Sequence, residues 1–157
     1  MEECIISSPL GFTRICGDIN GIQFVSILNS EEKTTDVIPE CLEDCVYQLN
    51  EYFNGERTEF SLKLNPQGTD FQKMVWNGLS KIPYNKTCSY LDLSKKIGNV
   101  KAIRAVANAN SKNPIPVIIP CHRVIGTDGS LTGYASGLHR KKWLLEHENP
   151  YKQQSLF

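Results

Sequence analysis

Between Asn113 and Cys121 the chain places prolines at 114, 116 and 120 around the apolar residues Ile115, Val117, Ile118 and Ile119. Proline fixes φ and removes a backbone donor, so the stretch reads as a short extended segment and not as a helix. It is apolar enough to pass through a core, and it would deliver the next residues to a fixed position. Those residues are Pro120-Cys121-His122-Arg123-Val124. A cysteine is a strong nucleophile only as the thiolate, so it needs a helix start, a cation or a base nearby. The proline ahead of Cys121 can set its sulfur at the start of a helical turn, and His122 and Arg123 add positive potential. On these residues alone, a buried inert cysteine and a catalytic one stand level.

The rest of the chain limits the setting. Its 157 residues suffice for one medium domain or two small ones, and 40% hydrophobic with 22% charged residues is a globular composition, which excludes disorder. No run approaches the roughly 18 apolar residues of a membrane span. The opening MEECIISSPLG has two acids and no basic region, against a secretory signal. The six cysteines, at 4, 16, 41, 45, 88 and 121, form no compact disulfide framework, so free thiols in a reducing compartment are expected. Zero net charge hides a division. Residues 1–69 hold 4 basic and 12 acidic side chains, a balance of −8, and residues 70–157 hold 13 and 5, a balance of +8. A polyanion would favour the second half, although two halves that attract each other give the same pattern.

Element signals support two domains, residues 1–65 and 69–150. Phe12 to Cys16 and Ile22 to Leu28 flank Gly17, Asp18, Asn20 and Gly21, a pattern of strands joined by a tight turn. After Pro39, Leu42, Val46, Leu49 and Phe53 recur at helical spacing up to Asn54-Gly55. Cys41 and Cys45 lie four apart there, but no histidine precedes His122, so packing thiols are expected and not a zinc site. Leu62 to Gly68 reads as an extended link. Thr69 and Gln72 make a capping-box pattern for a helix with Phe71, Val75, Leu79 and Ile82 inward, stopped by Pro83. Ser89 with Asp92 caps another helix carrying Tyr90, Leu93 and Ile97 inward, and Gly98-Asn99 breaks it. A third helix runs from about Val100 to Ala109, with Ala102, Val106 and Ala109 on one side and Lys101, Arg104 and Asn108 on the other. Two short helices around a tight turn suit a helix-turn-helix, and they suit ordinary helical packing equally. The last helix, roughly Leu138 to Glu148, carries Trp143 and Leu144 and brings Glu148 back toward the interior.

The run from Asn113-Pro114-Ile115-Pro116 through PCHRV (120–124) to Gly133-Tyr134 resembles the O6-alkylguanine-DNA alkyltransferases, also called methylated-DNA–protein-cysteine methyltransferases. The likeness extends through GTDFQKMVW (68–76), IPYNKTCSY (82–90), KAIRAVANAN (101–110) and GLHRKKWLLEHE (137–148), and more weakly through QLNEYFNGE (48–56). It implies an α/β fold of two domains: a small ribonuclease-H-like α/β domain, then a mainly helical domain with a winged-helix-like helix-turn-helix. It implies a DNA repair activity that moves the alkyl group of O6-alkylguanine, and also of O4-alkylthymine, irreversibly to Cys121 after the base is flipped out, once per molecule.

The same resemblance assigns roles singly. Cys121 resembles the acceptor, His122 the base acting through an ordered water, and Glu148 its carboxylate partner. Tyr90 resembles the residue that turns the neighbouring phosphate and donates to the flipped guanine. Arg104 looks like the finger that fills the stack, with Lys101 and Arg123 as further DNA contacts. Tyr134 and Pro116 belong to the alkyl pocket. The carbonyls of Cys121 and Val124 and the N–H of Ala135 would meet the base, and Asn113 would be the hinge to the helix-turn-helix. No cofactor and no metal are implied. The partner would be double-stranded DNA held through its minor groove, and the protein a cytoplasmic (or, in a eukaryote, nuclear) monomer without a membrane attachment. The zinc site of some relatives has no histidine counterparts here. Departures from the family pattern are Asn85-Lys86 for a common Gly-Glu, Val100 for proline, Ala107 for glycine, Ala135 for a hydroxyl residue, and Thr132 and Ser136 for smaller residues. The competing reading within this resemblance is a non-enzymatic sensor of alkylated DNA, a class that lacks the acceptor cysteine.

Overall fold

The computed structural model describes residues 1–149. It divides into two compact units, the first spanning Met1–Gln67 and the second beginning at Gly68. The expected α/β unit followed by a mainly helical unit is what the chain forms.

In the first unit, β1 (Glu2–Ser8), β2 (Gly11–Asp18) and β3 (Gly21–Ile27) make an antiparallel meander in that order. The β2–β3 turn closes where Asp18 Oδ1 accepts from Asn20 N at 2.8 Å. Gly21 has φ of 131°, and a Cβ there would lie 2.8 Å from the carbonyl oxygen of Lys63, so both backbone freedom and space require glycine. The link after α1 (Glu40–Phe53) returns to this edge, with Ile22 N donating to Lys63 O and Asn65 N to Ile22 O. Buried Gln48 holds that return, since its Oε1 accepts from Ser61 N and its Nε2 donates to Ser61 O.

Two details differ from the expectations. Strand β1 is not marked by its pattern, and the inward face of α1 is Leu42, Cys45, Leu49 and Tyr52, not Val46 and Phe53. Tyr52 and Cys45 sit one position before the expected residues, because the sheet accepts a stripe rotated by about 100° per residue. Burying the Leu42 or Leu49 side chain in the core between α1 and the sheet stabilises by about 2–5 kcal/mol relative to alanine.

In the second unit, α2 (Asp70–Leu79) starts in a complete Thr69–Gln72 capping box and buries Val75, Trp76 and Leu79. Ser89 caps α3 (Tyr90–Ile97) by accepting from Asp92 N, and Gly98, left-handed at φ 93°, ends it. The expected third helix resolves into a 3-10 turn, Val100–Ala102, and α4 (Ile103–Ser111). Trp76 Nε1 donates to Ala109 O at 2.9 Å and pins α2 to the end of α4. Short strands β4 (Cys88–Ser89) and β5 (Val124–Ile125) pair in parallel, which sets the start of α3 beside the segment after Cys121. Helix α5 (Leu138–Glu148) closes the unit. Among the described residues, no helix is long and apolar enough to cross a membrane.

Candidate active site

The proline-bounded segment is buried from Ile115 to Pro120, but it is not extended. Ile119 N donates back to Ile115 O at 2.9 Å, and Val117 takes a left-handed φ of 74°. A β-branched residue in that region is strained, typically by about 1–3 kcal/mol. Asn113 holds the coil at both ends: its Nδ2 donates to Ile119 O at 2.7 Å and its Oδ1 accepts from Ile115 N at 3.0 Å. The expected strand is therefore a compact turn. Pro114 and Pro116 deny it donors, and Asn113 supplies the bonds in their place.

The turn delivers Cys121 to a 3-10 turn, Cys121–Arg123, where its N–H donates to Ile119 O at 2.8 Å. Three residues of 3-10 structure are not the start of an α-helix, so the thiol gains no helix dipole. His122 is fully buried, and its Nε2 lies 2.7 Å from Glu148 Oε2. Arg123 is buried too. Its Nε and Nη2 reach the two oxygens of Glu148 at 2.9 and 3.0 Å, and its Nη1 donates to Ile82 O at 2.6 Å. This corrects the expectation that Arg123 touches DNA: its guanidinium is used inside the protein, with Tyr84 beneath it at 5.8 Å.

The Arg123–Glu148–His122 cluster sets protonation states. Burial opposes the Glu148 carboxylate, but hydrogen bonds from His122 and Arg123 outweigh it and hold its pKa far below the usual carboxylate range. Burial pushes His122 below its ordinary value, with Glu148 acting against that. A neutral imidazole beside an ionised carboxylate donates from Nε2, which leaves Nδ1 as the basic nitrogen. Nδ1 is buried and has no hydrogen-bond partner among the described residues.

Cys121 is 5% exposed, and burial pushes its thiol up to about 11. Asn113, Lys141 and the local backbone act the other way. The resting side chain is a thiol. Desolvation exceeds the local positive potential. The cation that favours the Cys121 thiolate is Lys141, which is absent from the residues expected to form the site. It is fully buried, donating from Nζ to Val124 O at 2.6 Å and Thr132 O at 2.7 Å. Its signal in the sequence is periodicity: Lys141, Leu144 and Glu148 recur along one face of α5, and all three are buried.

Cys121 lines a small cavity with Asn110, Asn113, Pro116 and the loop Gly133–Tyr134–Ala135–Ser136. Its volume of about 20 Å³ is room for about one water-sized sphere. Tyr134 is buried with its hydroxyl unpartnered among the described residues, as is Asn110 Oδ1, another polar group absent from the expected site. Tyr90 OH donates to Thr132 O at 3.1 Å, so Thr132 O is shared between Tyr90 and Lys141. The carbonyl of Val124 accepts from Lys141 and that of Cys121 from Val124 N. Lys101 and Arg104 are exposed. Asn85, which stands where the family commonly has glycine, takes φ of 61°, a conformation asparagine tolerates, and its N–H points to Glu148 Oε1 at 3.4 Å. Among the described residues, no group of three or more histidine, cysteine or acidic side chains is placed to hold a metal.

A cysteine lining a cavity, with a neutral histidine on a buried carboxylate and a helical pair beside it, defines a nucleophilic cysteine protein with a DNA-binding type of fold. Residues 70–150 match the family of the 6-O-methylguanine DNA methyltransferase DNA binding domain, and residues 2–66 match its ribonuclease-like domain. The chain is 46% identical over 155 residues to a methylated-DNA–protein-cysteine methyltransferase of Methanosarcina acetivorans, covering 94% of this chain and 98% of that one. It is 45% identical over 147 residues to the Mycobacterium tuberculosis protein of that name, covering 91% and 89%. The solved M. tuberculosis structure in complex with DNA superposes with a TM-score of 0.84 at 42% identity, over 98% of both chains. A Methanococcus jannaschii O6-methylguanine DNA methyltransferase gives 0.67 at 28% identity, over 93% of both. The chain belongs to the methylated-DNA–protein-cysteine methyltransferase family.

Proposed function

We propose that this protein repairs O6-alkylguanine in double-stranded DNA by transferring the alkyl group to Cys121 Sγ, once per molecule, with O4-alkylthymine as a second substrate. One observation carries the reading. The cavity that Cys121 lines adjoins a turn whose next residue, His122, is a neutral base with Nδ1 unpartnered among the described residues and Nε2 fixed by Glu148. The proton of the thiol passes through a bridging water to Nδ1, and Glu148 stabilises the imidazolium that results. The thiolate attacks the alkyl carbon, the C–O bond breaks, and the electron pair goes to the guanine. Tyr90, released from Thr132 O, donates toward that developing anion. The products are a thioether and a guanine anion, which becomes guanine when the proton held on His122 returns to it through water. Nothing cleaves the thioether, so the reaction stops at one turnover.

The base must leave the duplex for this chemistry, at a cost of a few kcal/mol. A cavity of about 20 Å³ admits no purine, so the loop from Gly133 to Ser136 has to move as the base enters. Tyr134, Pro116 and Ala135 would then line the alkyl and base site, with the carbonyls of Cys121 and Val124 as acceptors for the amino group. Residues 69–150 act as the reacting domain. Within them exposed Arg104 fills the gap in the base stack and Lys101 meets phosphate from the minor groove, which suits binding in any sequence. Residues 1–65 form the supporting ribonuclease-like domain. The working form is a cytoplasmic or nuclear monomer, needing no cofactor.

The test is intact mass after incubation with duplex DNA containing O6-methylguanine. One added methyl group on Cys121 and at most one lesion repaired per protein are expected. Repeated turnover, or methylation elsewhere, would overturn the proposal, and binding without any mass change would favour the sensor reading.

A further inference from the structure

We propose that Asn110 is a specificity-determining residue of the reaction site, its Oδ1 selecting alkyl groups that carry a hydroxyl on the second carbon. The proposal deepens the proposed function and rests on it. Asn110 lies near the end of α4 and lines the same cavity as Cys121. It is 2% exposed, and its Oδ1 is buried with no hydrogen-bond partner among the described residues. Buried polar atoms are nearly always paired, so an orphaned acceptor on a reaction cavity marks a place where a ligand group can supply the bond. Asn113 and Ser111, also on the cavity, are already engaged. Asn113 is used at both ends, by Ile119 O and Ile115 N, and Ser111 Oγ donates to Asn108 O. The Tyr134 hydroxyl shares the condition of Asn110: its residue lines the cavity, and the oxygen is buried and unpartnered among the described residues.

An amide oxygen only accepts, and a phenolic hydroxyl both donates and accepts. One substrate hydroxyl therefore satisfies the pair, donating to Asn110 Oδ1 and accepting from Tyr134 OH. A methyl or methylene group in that place leaves both oxygens unpaired. The reacting carbon sits against Cys121 Sγ, so the atoms beyond it meet the rest of the lining, where about 20 Å³ is room for a group of hydroxyl size. The transfer itself is unchanged. Sγ bonds to the first carbon, the C–O6 bond breaks with its electron pair on guanine, and the thiol proton passes to His122 and returns to the base. The hydroxyl is not consumed. Asn110 keeps its place when the loop from Gly133 to Ser136 moves, because α4 is held from outside that loop: Trp76 Nε1 donates to Ala109 O at 2.9 Å. The orientation of the amide agrees. Tyr90 OH donates to Thr132 O at 3.1 Å, so Asn110 meets Tyr90 as a donor and acts against the burial that raises it, which leaves Oδ1 for another partner.

The experiment compares single-turnover transfer, read by intact mass, from duplexes carrying O6-(2-hydroxyethyl)guanine, O6-(2-fluoroethyl)guanine or O6-propylguanine, with O6-methylguanine alongside. The first three differ in the terminal hydroxyl, fluorine or methyl group. Wild type transfers hydroxyethyl about tenfold faster than either analogue, because a site that pairs a substrate hydroxyl rejects a group lacking it. Fluorine matches the hydroxyl in electron withdrawal but cannot donate, so that comparison isolates the bond to Oδ1. In Asn110→Leu, which nearly keeps the shape, the hydroxyethyl-to-propyl ratio falls by about fivefold or more. A wild-type preference for hydroxyethyl over fluoroethyl below about threefold overturns the proposal, whether or not the variant folds. An unchanged hydroxyethyl-to-propyl ratio in folded Asn110→Leu overturns it too. Methyl transfer without a hydroxyethyl preference defeats the role of Asn110 alone, whereas no transfer of any alkyl group defeats the proposed function and this proposal with it.

Discussion

The two units bury cysteines to similar depth among neighbours of opposite influence. In the first unit, desolvation pushes Cys4 up to about 11 and Cys45 up to about 12, and every further influence on either, from Cys16, Cys41 and Glu3 or from Cys4 and Asp44, pushes the same way. In the second, desolvation pushes Cys121 to about 11, and every further influence, from Asn113, Lys141 and the backbone, pushes down. Burial therefore does not distinguish an inert thiol from a reactive one. The neighbours do. Burial, neighbouring thiols and acids all oppose the thiolates of Cys4 and Cys45, whereas the neighbours of Cys121 favour its thiolate against burial.

The widest separation between the units should come from removing the sulfurs themselves. Cys121→Ser abolishes methyl transfer, whereas Cys45→Ala leaves its rate within a factor of two and lowers stability by about 1 kcal/mol; an active Cys121→Ser or an inactive, folded Cys45→Ala, scored by intact mass, would break the contrast. Next in size is the base. His122→Ala slows single-turnover transfer by about 10²–10⁴-fold near neutral pH, the usual worth of a positioned base. Equal rates in both proteins would leave Lys141 as the source of activation.

The carboxylate comes third. Glu148→Ala leaves a buried arginine without its partner and costs about 3–5 kcal/mol of unfolding free energy in urea; a loss under 1 kcal/mol would mean the pair is dispensable. The shifts also set its pH signature. Glu148 is depressed, so its contribution is full above the unfolded value near ~4.3 and is lost as pH falls toward the folded one. His122 is also depressed, so below about 6.5 the unfolded chain binds a proton that the folded chain excludes. Stability should decline from about pH 6.5 downward, and Glu148→Gln should flatten the part below pH 5. The smallest expected effect lies on the surface: Arg104→Ala should slow repair of duplex several-fold more than reaction with a free alkylated base, and equal slowing would place Arg104 in the pocket architecture.

Short-range chemistry governs what residues alone reveal. Thr69 and Gln72 announce a capping box, Ser89 a cap and Gly98 a stop, because each of these bonds closes within four residues or within one backbone conformation. The PCHRV run with its flanking segments is specific enough to carry the family assignment. Strand β1 escapes because EECIISS shows little alternation, and its place depends on pairing with β2. The coil at 113–120 reads as an extended segment because its true shape depends on Asn113 bonding across it and on a strained Val117. Arg123 reads as a DNA contact, and Lys141 carries no role at all, for a related reason. A long cationic side chain is ordinarily solvated, and only partners distant in sequence make its burial tolerable. Those partners are Glu148 for Arg123 and the carbonyls of Val124 and Thr132 for Lys141. The order of residues determined that there is a cysteine to react and a histidine next to it. Which charges stand around that sulfur was decided by the packing of α5 against the turn, because electrostatics depends on distance through the fold and not along the chain.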